Sequence, residues 1–151
     1  RYLARDLLWA HGRWNVADPA GSRVGYLTTD ASTHWGEVNG WDFGIAQMYA
    51  DGNDAILHEL ELVTLPGRVP LGADPVVWTS HSFDGVTWTE EQPKACGKQG
   101  ETTKRMAWRR LGRIRHTRMQ RFRGTSDAHI TALRLEAQVE PLFTRPGVRG
   151  G

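Results

Sequence analysis

Residues that force turns recur along this chain at intervals too short to leave room for long helices. Asp18-Pro-Ala-Gly21, Asp51-Gly-Asn-Asp54, Thr64-Leu-Pro66-Gly67, the pair Asp84-Gly85 and Gly97-Lys-Gln-Gly100 punctuate it. Each supplies left-handed backbone, a fixed φ or a side chain that bonds its own main chain. Between them lie short β-branched and aromatic stretches, the pattern of many short strands. The length of 151 residues suits one core, since a domain of that size buries roughly 70% of the surface its unfolded chain exposes. The expectation is an all-β fold, an antiparallel β-sandwich or barrel-like sheet pair with long loops. It comprises a single β domain over residues 1–143 and a flexible tail over 144–151.

Residues 23–28 have room for one short strand. Residues 30–40 are small and polar apart from Trp35 and read as a loop. Residues 41–49 can be extended, with Phe43 and Ile45 of one parity, and residues 55–63 alternate. In the latter, Ile56, Leu60 and Leu62 share a face with His58, while Glu59 and Glu61 face the other way. The turn signal between them predicts a hairpin across residues 43–63. A short helix would also suit 55–63, but Pro66-Gly67 stops any continuation and period two uses the glutamates better. Residues 76–81 form a strand running into a hairpin turn at Asp84-Gly85, with Trp88 folding back on it. Three further strands are expected, over 104–111, 116–123 and 129–139. In the last, Leu133, Leu135, Ala137 and Val139 oppose Arg134, Glu136 and Gln138.

No apolar run approaches the roughly 20 residues that span a bilayer, so no membrane insertion is expected and the chain reads as soluble. It begins at Arg1 rather than Met, which reads as the C-terminal piece of a longer polypeptide. Cys96 is the only cysteine; it cannot form an intrachain disulfide, which suits assembly in a reducing cytoplasm, and it reads as a buried, inert thiol. There is no G-x-S-x-G elbow, P-loop or G-x-G-x-x-G. The carboxylates Glu37, Asp42, Glu59, Glu61 and Asp84 offer no pair distinguished as a glycosidase acid and base. His11, His34, His58, His81, His116 and His129 are scattered singly, without metal-ligand spacing, and Asp51-Gly-Asn-Asp54 lacks the remaining positions of a calcium loop. No catalytic residue, metal or cofactor is expected, and the chain reads as a non-enzyme.

The net charge is only +2, yet the cations are 16 Arg against 3 Lys, and they gather. Between Glu101 and Asp127 there is no acidic residue, while Lys104, Arg105, Arg109, Arg110, Arg113, Arg115, Arg118, Arg121 and Arg123 fall together. Such a stripe is an electrostatic footprint for phosphate backbones, bound without reading sequence. The favoured reading is that these arginines pair with carboxylates of neighbouring strands or subunits, because the rest of the chain carries nearly balancing acid. Strand geometry puts Arg109 and Arg110 on opposite faces of a sheet. Trp108 and Phe122 fall at core-facing positions, so packing outweighs base stacking.

Ser82-Phe-Asp84-Gly85-Val-Thr87-Trp88 resembles the Asp-box turn of sialidases and related propellers, with one residue fewer between Asp and Gly. That box is a folding element, and Asp84 is expected to bond turn amides. The same turn and the many Trp residues motivate an alternative function, a carbohydrate-binding or glycosidase-like β domain.

An ordered set of residues carries a broader resemblance. Trp35-Gly36-Glu37, Leu60-Glu-Leu62, Pro66-Gly67, Asp74-Pro75, the Ser82-to-Trp88 turn, Gly97-x-x-Gly100, Arg105-Met-Ala-Trp-Arg-Arg-Leu-Gly-Arg113, and Phe122 with the strand from Leu133 to Val139 follow in turn. Together they resemble the C-terminal part of phage packaged-DNA stabilisation proteins, the tail-hub or nozzle components of short-tailed phages. The resemblance implies a structural virion protein of the tail, assembled in the host cytoplasm. It would form a homo-oligomeric ring below the portal, touch portal, adaptor and other tail proteins, and help retain packaged DNA. The basic stripe would then face adjacent subunits or, non-specifically, the DNA backbone in the channel.

Overall fold

The computed structural model describes residues 5–31, 33–48, 54–126 and 128–142. The tail expected over 144–151 and the turn residues 51–53 lie outside them. The chain divides into two compact units, Arg1–Asn39 and Gly40–Gly151. No composition shift in the sequence marks that boundary. Among the described residues every regular element is a strand and all pairings are antiparallel.

The first unit holds β1 (Arg5–Ala10), β2 (Arg13–Ala17) and β3 (Val24–Tyr26) in one sheet, and a ribbon of β4 (Thr33–His34) and β5 (Glu37–Val38). Sequence reasoning missed β1 and β2. Their signal was the two-residue turn His11-Gly12, both at positive φ, 54° and 71°, the backbone of the hairpin turns that match strand twist. Residues 30–40 are likewise not all loop. Trp35 and Gly36 at φ 55° and 86° close the β4–β5 ribbon in the same way. The Trp35 ring lies against β3 so closely that a Cβ on Gly25 would sit 2.8 Å from it. The expected Asp18–Gly21 turn forms, with Asp18 accepting from the Ala20 amide at 2.9 Å and the Arg23 guanidinium at 2.6 Å.

The second unit is a sandwich. One sheet has the order β10-β7-β12 and the other β6-β11-β8-β9. The strands are β6 (Trp41–Met48), β7 (Asp54–Thr64), β8 (Val76–Ser82), β9 (Gln92–Ala95), β10 (Met106–Ile114), β11 (Thr117–Gly124) and β12 (Ala132–Leu142). The inner faces supply one core: Leu57, Leu60 and Leu62 from β7, Met106, Trp108, Leu111 and Ile114 from β10, Val77 from β8 and Phe122 from β11. Trp108 meets Phe122 across the sheets at 5.7 Å between ring centroids, and its indole Nε1 donates to the Gln92 carbonyl at 3.0 Å.

The expected hairpin across residues 43–63 is not there. Both strands exist, but β6 pairs with β11 while both edges of β7 are taken by β10 and β12. The connection between β6 and β7 therefore crosses from one sheet to the other. The face assignment of β7 also changes partway. His58 is an extra residue relative to β12, and Arg110-Leu111 on β10 lie opposite it. Such a bulge shifts parity by one. Leu60 and Leu62 point inward as expected, but Ala55 and Leu57, not Ile56 and His58, fill the core beyond the bulge. On β12, a bulge at Leu133 leaves that side chain half exposed instead of aligned with Leu135.

Phe122 is wholly buried and touches Phe43 at 5.3 Å as well as Trp108. Phe122→Ala is therefore expected to cost about 3–5 kcal/mol, read as a lower urea midpoint with an unchanged m-value.

Candidate functional site: the arginine-bearing faces

Alternation decides where the basic residues go. On β11, Arg118, Gln120 and Phe122 face the core, and Met119, Arg121 and Arg123 face outward. On β10 the bulge intervenes, so Arg109 and Arg110 are both exposed between buried Trp108 and Leu111. The expectation that they lie on opposite sheet faces fails because Arg110 takes a left-handed φ of 58°.

Five of the nine candidates are paired within the fold. Arg105 donates its Nε to both Glu61 oxygens at 3.0 and 3.1 Å and reaches Glu59 at 3.1 Å. Arg109 Nε donates to Glu59 at 2.6 Å, and Arg113 pairs with Asp54. On the other sheet Arg121 Nε donates to Asp42 at 2.8 Å, and Arg123 pairs with Glu91. The guanidinium of Arg121 lies over the Trp88 ring at 5.6 Å and that of Arg123 over Trp78 at 5.7 Å. Glu59, Glu61 and Asp42 are held below the usual carboxylate range, first by their hydrogen bonds from Arg109, Arg105 and Arg121 respectively. A carboxylate so held is an ion at neutral pH, not a proton donor.

Arg118 does not belong to an outward set. It is 0% exposed. Its Nε donates to Gln120 Oε1 at 3.0 Å and its Nη1 to the Leu111 carbonyl, with no carboxylate beside it among the described residues. Burial pushes this guanidinium down to about 10, so it stays charged at neutral pH. Gln120 continues the network to the Thr79 hydroxyl at 2.6 Å and the Ser80 carbonyl at 3.1 Å. Lys104, Arg110 and Arg115 form no ion pair among the described residues and are exposed.

The turn after β8 is organised by its own side chains. Ser82 Oγ accepts from the Gly85 amide and donates to Asp84 Oδ1, each at 2.8 Å. Asp84 Oδ1 accepts from the amides of Val86 at 2.8 Å and Thr87 at 2.7 Å. Gly85 has a φ of 75°, and a Cβ there would sit 3.2 Å from the Met119 sulfur, while the Thr89 amide bonds the His81 carbonyl at 3.0 Å. Cys96 is buried, and burial, then Asp74, pushes its thiol up to about 11. Among the described residues no three His, Cys, Asp or Glu are grouped to hold a metal, and no helix is long and apolar enough to cross a membrane.

The second unit is a seven-stranded antiparallel sandwich, and comparison places it among bacteriophage proteins. A family model described as bacteriophage P22 Gp10, β-sandwich, matches residues 40–140. The chain belongs to this family. The match begins at the residue where the second unit begins, and it bears out the resemblance to phage tail-hub proteins and the all-β sandwich expectation. No curated protein matches the chain.

Asp84 is held well below the ordinary carboxylate range by the Thr87 and Val86 amides and by Ser82. A carboxyl depressed in the folded state contributes stability above its unfolded pKa of about 4 and loses it as pH falls below that value. Asp84→Asn is therefore expected to lower the melting temperature at neutral pH and to flatten its decline below about pH 4. An equally steep acid decline in both proteins would assign that loss to other carboxylates.

Proposed function

We propose that this chain is a structural component of a tailed-phage virion, located in the tail. There it assembles as a homo-oligomeric ring below the portal, contacts portal, adaptor and other tail proteins, and helps retain packaged DNA. Family membership over residues 40–140 is the observation that carries this reading. The disposition of the arginines supports an architectural role, because five of the nine candidates tie neighbouring strands within the fold. The chain's role is architectural, not catalytic.

If DNA is touched by the 104–123 stripe, the contacts fall to the three of its cations that have no ion pair among the described residues, Lys104, Arg110 and Arg115. The paired arginines would have to give up Glu59, Glu61, Asp54, Asp42 or Glu91 to reach a phosphate. The carbohydrate-binding alternative is weakened by the same geometry, since Arg121 and Arg123 occupy ring faces of Trp88 and Trp78 on which a sugar would stack.

Electron microscopy of particles carrying the tagged chain should show it as a ring in the tail. A stable monomer that never joins particles would contradict the proposal. Binding to duplex DNA, where present, should weaken with salt, the stripe contributing no more than roughly −3 per protomer to the slope of log K against log salt, since each phosphate contact contributes about −0.9. Replacing Lys104, Arg110 and Arg115 with Ala should flatten it. A slope unchanged by that triple replacement would mean that DNA is held elsewhere than by these three cations.

A further inference from the structure

Among the described residues, strand β12 is an outer strand of its sheet and is hydrogen-bonded on one side only, to β7. It is 11 residues long, and from Arg134 to Leu142 it carries no extra residue of its own; the irregularity near Val139 belongs to His58 on β7. A long free edge is a template for another strand, which proteins usually blunt with charges and proline. Arg134, Glu136, Glu140 and Pro141 stand here, but the charges have an order. About Ala137 the strand complements its own reverse.

In an antiparallel pairing centred on Ala137, Arg134 stands opposite Glu140 of the second copy, and Glu140 opposite Arg134. Glu136 meets Gln138, Leu135 meets Val139, and the small Ala137 meets itself on the axis. Every pair shares parity, so core-facing residues meet core-facing residues and outward ones meet outward ones. Neighbouring registers fail. Centring on Glu136 sets that carboxylate against itself, and centring on Gln138 sets Glu136 against Glu140 twice, both destabilising. Centring on Leu135 draws the Leu133 bulge into the paired stretch.

The groups are free to respond. The Arg134 and Glu140 side chains are 66% and 59% exposed, and their present partners belong to the same sheet, Glu136 on β12 for Arg134 and His58 on β7 for Glu140. Val139, on the core-facing side, is still 39% exposed, β12 being the outermost strand of its sheet among the described residues. A second copy would cover it.

We propose that β12 pairs antiparallel with β12 of a second copy, in the register centred on Ala137, joining two three-stranded sheets into one across a twofold axis. Such a contact uses the same patch on both partners. It is therefore separate from the head-to-tail contacts that close a ring, and it does not rest on the ring reading.

The test is sedimentation velocity of the whole chain over a concentration series, for the unaltered protein, Arg134→Glu, Glu140→Arg and the double variant, with circular dichroism to check folding. A reversible doubling of mass is expected, whether of a single chain or of a ring. Each single variant should weaken it by about tenfold or more, because like charges then face each other twice, and the double variant should restore it. Absence of doubling, doubling indifferent to either single variant, or a double variant as weak as the singles would overturn the pairing. A ring whose mass none of the variants changes would overturn it while leaving the ring intact.

Discussion

The core of the second unit exists only because two sheets supply it at once. Trp108 belongs to one sheet and Phe122 to the other, and each is buried by its meeting with the opposite layer. The chain reaches this arrangement by changing sheets repeatedly: β6 to β7, β7 to β8, β9 to β10, β10 to β11 and β11 to β12 each cross from one layer to the other. Neither sheet can be finished before its partner is under way. Pairings between residues far apart in sequence dominate, which favours cooperative and slow folding.

The charges follow from the same geometry. With one face of every central strand committed to the core, the arginines of β10 and β11 are left on the outer faces, beside acids on β7, β6 and the segment before β9. The forked, permanently charged guanidinium suits that position better than lysine, because it can hold two oxygens at once, as Arg105 does with Glu61. Solvent screens such exposed pairs, which contribute little each, so the ladders tune register more than they supply stability. Arg118 is the exception, a charge inside the sandwich that bonds a carbonyl and an amide oxygen instead of a carboxylate and leaves its Nη2 without a hydrogen-bond partner among the described residues. Such a group is costly to bury, and its bonds to Leu111 on one sheet and Gln120 on the other tie the layers beside the bulge.

Most strands were legible in the sequence because turn residues bracket them and their alternation is local. The positions of β7, β8, β10, β11 and β12 follow from period two with shifts of a few residues at the ends. What was not legible is the partner of each strand. Asp51-Gly-Asn-Asp54 has hairpin chemistry, yet the strands it separates pair elsewhere, since β10 and β12 take both edges of β7 and its apolar face is buried against the opposite sheet. The parity change at His58 was equally hidden, because a bulge is set by two neighbouring strands, not by the strand that carries it. The short β1–β2 hairpin escaped because Leu7, Leu8 and Trp9 do not alternate and the turn His11-Gly12 is a weak signal. The arginine cluster was legible as a cluster, and its division into five paired residues, one buried and three free required the register.

Strand partnership thus underlies both the core and the charges: the basic strands are tied to their neighbours, and the sheets close over one core. Interstrand Hα and amide nuclear Overhauser effects across residues 40–142 measure that partnership directly. They should join Leu62 to Met106 and to Leu135, Phe122 to Phe43 and to Thr79, with the skip at His58. A continuous ladder between residues 43–48 and 54–63 would mean a local hairpin instead, and would contradict the sandwich.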